Sequence, residues 1–220
     1  MKRLALIGVL APALALGETV DRVVAAVGDK AITASDVEAE YRIELLLDGK
    51  NPAGSEPDGS TLNQVRDRLI DRALLEKEAA VDNIEVAPKD PTVDERLKAL
   101  LQKFPNPDAF RAGLGKTGLT ESAFRRYLAA EERVLRVIDE RLRPQAAVEP
   151  SEIETYYRES LVPQLARQNQ SPPPLAEVES RIREILTQQK IDKLLTEWLK
   201  TLRASRDVHV YGNAAAEDKP

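Results

Sequence analysis

Between Leu175 and Leu202 apolar residues recur mostly at the three-and-four spacing of a buried helical stripe. They are Leu175, Val178, Ile182, Ile185, Ile191, Leu194, Leu195, Trp198, Leu199 and Leu202. A helix over 175–204 is ~45 Å long at 1.5 Å per residue, more than a small domain needs for its own core. The only tryptophan, Trp198, lies near its end. The strand-forming run 208–211, Val-His-Val-Tyr, follows it. A helix of this length needs partners along its length, and the strand needs a sheet.

The upstream pattern supplies both. Val23, Val24 and Val27 make one strand, Gly28-Asp29 a tight turn, and Lys30 to Thr33 the return, so 20–33 predicts a hairpin. Two short strands are marginal alone, and 208–211 offers a third. Ser35-Asp36-Val37-Glu38 fits a capping box opening a helix that ends near Gly49. Asn51 to Ser60 reads as a loop, and 61–82 as a helix with Leu62, Val65, Leu69, Ile70, Ala73, Leu74 and Val81 inward. Asp90-Pro91 and Asn106-Pro107 each pair an N-cap with a first-turn proline. The first opens a helix through Phe104. The second opens a short one ended by Gly113, Gly115 and Gly118. Thr120 opens a long helix to about Arg143, with Phe124, Tyr127, Leu128, Val134, Leu135, Ile138 and Leu142 as its stripe, and Pro144 stops it. Ser151 starts a helix through Leu161, 164–174 reads as a polar, proline-rich linker, and 212–220 as a disordered tail.

Composition narrows the class. Charged residues make up 31% and aromatics only 4%, a profile that suits helices with much solvated surface. The net charge of −5 gives no basic footprint for nucleic acid. The absence of cysteine excludes disulfides, thiolate metal sites and a cysteine nucleophile. Lys2 and Arg3 precede the apolar run Leu4 to Leu16, with small residues at Ala13, Ala15 and Gly17. That order is a secretory signal peptide over 1–17, and the run is short of the ~20 residues of a membrane span. The mature chain is therefore expected to be exported, with no membrane span.

Little catalytic chemistry is visible. The single histidine, His209, falls in the closing strand, where a structural or exposed role fits better than a catalytic base. One histidine and no cysteine leave only carboxylates as metal ligands, so no metal or cofactor is expected. The run 113–118, Gly-Leu-Gly-Lys-Thr-Gly, lacks the four-residue gap of a phosphate loop and follows no strand; it reads as a helix stop. The remaining candidates are apolar. Leu101, Phe104, Phe110 and Leu114 flank a Pro-Asn-Pro turn. They pack locally, or they form an apolar groove for extended peptide.

The run Thr19 to Val37, TVDRVVAAVGDKAITASDV, resembles the mature start of SurA-type periplasmic chaperones. Leu69 to Leu75, LIDRALL, looks like that family's second helix, and EWLKTLRA at 197–204 with Val208-His209-Val210 looks like its C-terminal helix and closing strand. The resemblance implies a mainly α fold: a helical SurA N-terminal-like chaperone domain over 18–211. In it the helix 175–204 packs back on the N-terminal helices and the strand 208–211 joins the N-terminal hairpin in a small sheet. The family commonly carries parvulin-type prolyl isomerase domains before the last helix. Here that interval, 161–174, is far short of the ~50 residues of the smallest domains and holds no histidine. Isomerase catalysis is not expected. The resemblance points instead to an ATP-independent holdase for unfolded or nascent envelope and outer-membrane proteins, with Leu101, Phe104, Phe110 and Leu114 as candidate client contacts. The alternatives are a prolyl isomerase by family association and a non-catalytic partner-binding subunit of an envelope complex.

Overall fold

The computed structural model describes residues 21–54 and 56–215. The signal peptide expected at 1–17 lies outside the described residues, as do 216–220. The sheet joins the two ends of the chain. Strands β1 (Val23–Val27) and β2 (Lys30–Thr33) form the hairpin, and Gly28 takes the left-handed conformation its turn requires, φ +60°. Strand β3 (Val208–Val210) pairs antiparallel with the free side of β1, with Val27 opposite Val208 and Ala25 opposite Val210. The order is β2-β1-β3, so the first strand is central and the last completes it. Tyr211 falls outside the strand, yet its N–H still donates to the Val24 carbonyl at 2.9 Å.

Each of the first five helices starts at a side-chain cap, the first at a different residue from the one expected. Helix α1 (Ala34–Leu47) is capped by Thr33 rather than Ser35. The Thr33 backbone is still extended as it leaves β2. Its hydroxyl accepts from the Asp36 N–H, and the Asp36 carboxylate accepts from the Thr33 N–H. Ser35 is already helical and donates to Asp21. Helix α2 (Gly59–Val81) follows Asp58, α3 (Pro91–Leu101) follows Asp90, α4 (Pro107–Lys116) follows Asn106, and α5 (Glu121–Leu142) follows Thr120. In each, the cap side chain accepts from a first-turn N–H. Helix α3 stops at Leu101, leaving Phe104 in the connection. Gly113 and Gly115 lie inside α4 instead of ending it. A Cβ at Gly113 would come within 2.8 Å of Leu46 Cδ1, so this glycine lets α4 close on α1. The stop falls at Gly118, φ +77°.

The start of the expected linker is also helical. Helix α6 (Pro150–Tyr156) runs through a π turn (Tyr157–Leu161) into α7 (Val162–Arg167). Pro163 has no N–H with which to continue an α-helical ladder, and the wider π turn before it takes up that break. Only 168–174 remain outside helices; there the Tyr157 hydroxyl donates to the Pro173 carbonyl at 2.7 Å. Helix α8 (Leu175–Ser205) spans 31 residues.

Two apolar clusters form. One gathers the sheet, the start of α1, the middle of α2, Val134 of α5 and Leu202 of α8. The other gathers Ile43 and Leu46 of α1 with Val93, Leu97, Phe110, Leu114, Phe124 and Leu128 of α3, α4 and α5. Smaller clusters extend the packing along α8 through Trp198 and Ile191. Two stripe residues point the other way: Val81 is 66% exposed and Leu135 is 50% exposed. Val81 is the last residue of α2. The expected disordered tail is docked over 212–215. Ala214 is 2% exposed, and Arg22 and Asn63 bond its backbone.

Helix α8 and β3 thus supply one side of the first cluster and the second edge of the sheet. Truncation after Pro174 is expected to abolish the cooperative thermal transition followed by circular dichroism; a retained sharp melt would show that the upstream helices fold alone. In the full chain, Leu202→Ala is expected to lower the unfolding free energy by about 2–5 kcal/mol, measured by urea denaturation.

Candidate functional site

A cleft of about 320 Å³ opens where α1, α2, α5 and α8 meet. Its apolar lining comes from Leu47, Leu75, Val134, Leu195 and Leu199, one or two from each helix. Its polar lining is Glu40, Glu44, Arg68, Asp71, Arg72, Tyr127 and Glu131. Most of these charges are engaged with one another. Arg68 forks onto Glu44 with Nε and Nη2 at 2.7 and 2.6 Å, and Arg203 of α8 holds Asp71 at 2.7 Å.

The floor is a buried network across three helices. Arg72 of α2 donates through Nη1 and Nη2 to the two carboxylate oxygens of Glu40 of α1, both at 2.9 Å. Nη1 also reaches Glu131 of α5 at 3.0 Å. The Tyr127 hydroxyl donates to Glu40 Oε1 at 2.8 Å, and the Arg72 guanidinium lies 5.1 Å from the Tyr127 ring centre. Glu40 is 8% exposed. Burial pushes its carboxyl above the ordinary glutamate range against the pull of Arg72 and Tyr127, and burial likewise pushes the Tyr127 phenol up. With three hydrogen bonds taken, Glu40 is placed to hold helices together and is poorly placed to move protons. The cleft offers apolar walls and paired charges, an arrangement suited to binding.

The residues singled out in the sequence lie elsewhere. Phe110 is 4% exposed and Leu114 is likewise buried in the second cluster, while Leu101 and Phe104 sit half-buried at its margin. Phe104 meets Phe110 edge-on at 5.5 Å, Phe110 meets Phe124 at 5.8 Å, and Phe124 stacks on Tyr127 at 6.1 Å. A continuous aromatic ladder therefore runs from Phe104 at the margin to the cleft floor. Glu40, Arg72 and Glu131 went unmarked as site residues in the sequence, and Tyr127 was read only as part of a helical stripe. The signal was present: Glu40 interrupts the stripe Val37, Ile43, Leu46 at a buried position, and Arg72 sits in the apolar run Leu69 to Leu75. His209 is exposed and lies 2.8 Å from Asp207. Among the described residues no group of three or more metal-ligating side chains converges, and no helix is long and apolar enough to cross a membrane.

The family model for the SurA-like N-terminal domain matches residues 4–137. The chain belongs to the SurA-like N-terminal domain family. The match reaches into α5, so the SurA-like region contains Glu40, Arg72, Tyr127 and Glu131, three of the four walls of the cleft, and the aromatic ladder. Helices α6 to α8 and β3 lie beyond it, and α8 closes the cleft on the SurA-like helices. Comparison with curated proteins returns no match.

Removing one member of a buried ion pair leaves the other charge unpaired. Glu40→Ala is expected to cost about 3–5 kcal/mol in urea unfolding, and Glu40→Leu with Arg72→Met to recover part of that loss. The pH dependence carries a sign. Asp58, Asp82 and Asp90 are held below the ordinary aspartate range, chiefly by hydrogen bonds from the Thr61 N–H, Arg141 and Thr92. Their stabilisation is full above the unfolded value of ~3.9 and is lost as pH falls through their lower folded values. Glu40 is raised, so its contribution is full below ~4.3 and is lost as pH rises through its folded value. The stability difference between wild type and Glu40→Gln should therefore shift in favour of wild type from pH 7 down to about 4.3. A shift in the opposite direction would mean that pairing, rather than burial, governs Glu40.

Proposed function

We propose that the chain is an ATP-independent periplasmic holdase, which keeps unfolded or nascent envelope and outer-membrane proteins from aggregating. The observation that carries this reading is the interhelical cleft, with leucine and valine on its walls and its charges paired off, in a chain of the SurA-like N-terminal domain family. Leu75, Val134, Leu195 and Leu199 would take apolar side chains of an extended client. The surrounding carboxylates and guanidiniums would keep the complex hydrated. Weak contacts of this kind release a client once it buries its own apolar surface, so no nucleotide is needed. Leu101 and Phe104, half-exposed, would add contacts at the far end of the aromatic ladder, with Phe110 and Leu114 supporting them from beneath. Periplasmic residence rests on the leader-like order of residues 1–17. The short interval 161–174, without histidine, favours chaperone action over prolyl isomerisation.

Light scattering of a chemically unfolded outer-membrane protein, diluted into the purified mature chain, tests the proposal. Suppression of aggregation is expected at a several-fold molar excess. Leu199→Gln is expected to weaken it several-fold, whereas Leu135→Gln, an exposed leucine outside the cleft, is expected to leave it unchanged. No suppression by the wild-type chain would overturn the holdase reading. Acceleration of prolyl isomerisation in a peptide assay would overturn the non-enzymatic part. Appearance of a tagged full-length chain in the cytoplasmic fraction would overturn the localisation.

A further inference from the structure

The first residues after β3 occupy a groove that reads peptide backbone. Arg22, just before β1, donates Nη1 to the Asn213 carbonyl at 2.7 Å and Nη2 to the carbonyls of Ala214 and Ala215 at 3.3 and 2.5 Å. Asn63 of α2 accepts from the Ala214 N–H at 3.0 Å, and Arg66 donates to the Gly212 carbonyl at 2.9 Å. Ala214 is sealed into the first apolar cluster. Gly59 forms part of the wall: a Cβ there would stand 3.3 Å from Asn213 Nδ2 and 3.4 Å from Ala215 Cβ. Every polar contact named here falls on main-chain atoms of 212–215, and the one buried side chain is a methyl group. The groove therefore selects a bent backbone with a small side chain and is indifferent to the rest of the sequence.

We infer that this groove is a second peptide-binding site, which the chain's own residues 212–215 occupy, and that its ligand in trans is the carboxyl-terminal end of a peptide that takes the same bent path, with a small penultimate or final side chain. The guanidinium argues for a chain end. It converges on three neutral carbonyls, whereas a terminal carboxylate matches its fork bidentately, and charge-assisted hydrogen bonds are roughly twice as strong as neutral ones. The tail competes as a tethered ligand at an effective concentration of order millimolar. It thus acts as a guard that a tighter-binding chain end displaces. This inference does not rest on the interhelical cleft, and light scattering with Leu199 variants reads the cleft separately.

The test uses the full mature chain, ¹⁵N-labelled, titrated with the peptide Tyr-Gly-Asn-Ala-Ala, N-acetylated, as free acid or as amide. Gly212→Val places a β-branched residue at φ +71°, which disfavours the bend that delivers the tail and leaves the groove unaltered. Ala214→Trp, too large for the methyl site, is the second variant, and thermal melts establish that each is folded. The free acid is expected to bind either variant about tenfold more tightly than wild type, and several-fold more tightly than the amide. Added Arg22→Ala is expected to abolish binding. Equal affinity for wild type and both variants, or binding that survives Arg22→Ala, would overturn the site. Equal affinity for acid and amide would overturn the chain-end preference.

Discussion

The buried pairing of Arg72 with Glu40 is the interaction on which the helical body depends. It lies where the two large apolar clusters adjoin, between Val37 and Ile43 on α1 and beside Leu128 and Val134 on α5. Apolar contact alone would let α1 slide or rotate against α2, because leucine and valine surfaces tolerate many registers. A bidentate fork topped by the Tyr127 hydroxyl accepts very few. The network gives up some stability, since taking charges out of water is costly, in exchange for one relative placement of three helices. The width of the cleft above it follows from that placement.

A second polar junction does similar work for α8. Glu78 of α2 is buried and is held by Arg141 of α5 at 2.7 Å and Arg206, at the end of α8, at 2.5 Å. Arg141 also bridges to Asp82 and lies over the Trp198 ring at 5.1 Å. Between these charges the helix packs by widely separated residues, Ile182, Ile191 and Leu202. Few of its side chains are fully buried for its length. That pattern lets α8 wall an open cleft on one side while its end is fastened to α2 and to the sheet.

Much of this was legible in the sequence, because the signals were local. Asp90-Pro91, Asn106-Pro107 and Thr120 start helices within one turn of themselves, and the two halves of the hairpin meet across Gly28-Asp29. The third strand was legible because Val208 to Val210 had no other partner of like character. The misplacements also have local causes. Ser35 and Thr33 both suit a cap, and the extended backbone leaving β2 decides between them. Gly113 reads as a stop until Leu46 is seen filling the space a Cβ would need. The site was harder to see. Phe104 and Phe110 stand out as aromatic, yet an edge-on contact with one neighbour and a sealed position are indistinguishable by spacing. Glu40 and Arg72 are distant in sequence, and each reads as one more charge on a charged helix. Only tertiary packing makes them a pair.

The central position of β1 has a consequence for how the chain is made. The strand that leads the sequence waits with one edge open until Val208 to Val210 have been synthesised, and the groove around Arg22 stays empty until residues 212–215 arrive. Apart from the hairpin's own turn, the contacts that close the sheet span nearly the whole chain, the slowest kind to form. The β1–β2 hairpin and helices α1 to α5 rest on contacts closer in sequence, whereas β3 can join only once residue 210 has been made. Until then the nascent polypeptide carries an unpaired edge, a template for pairing with other chains. A protein proposed to shield others from aggregation thus passes through a stage in which its own first strand needs shielding.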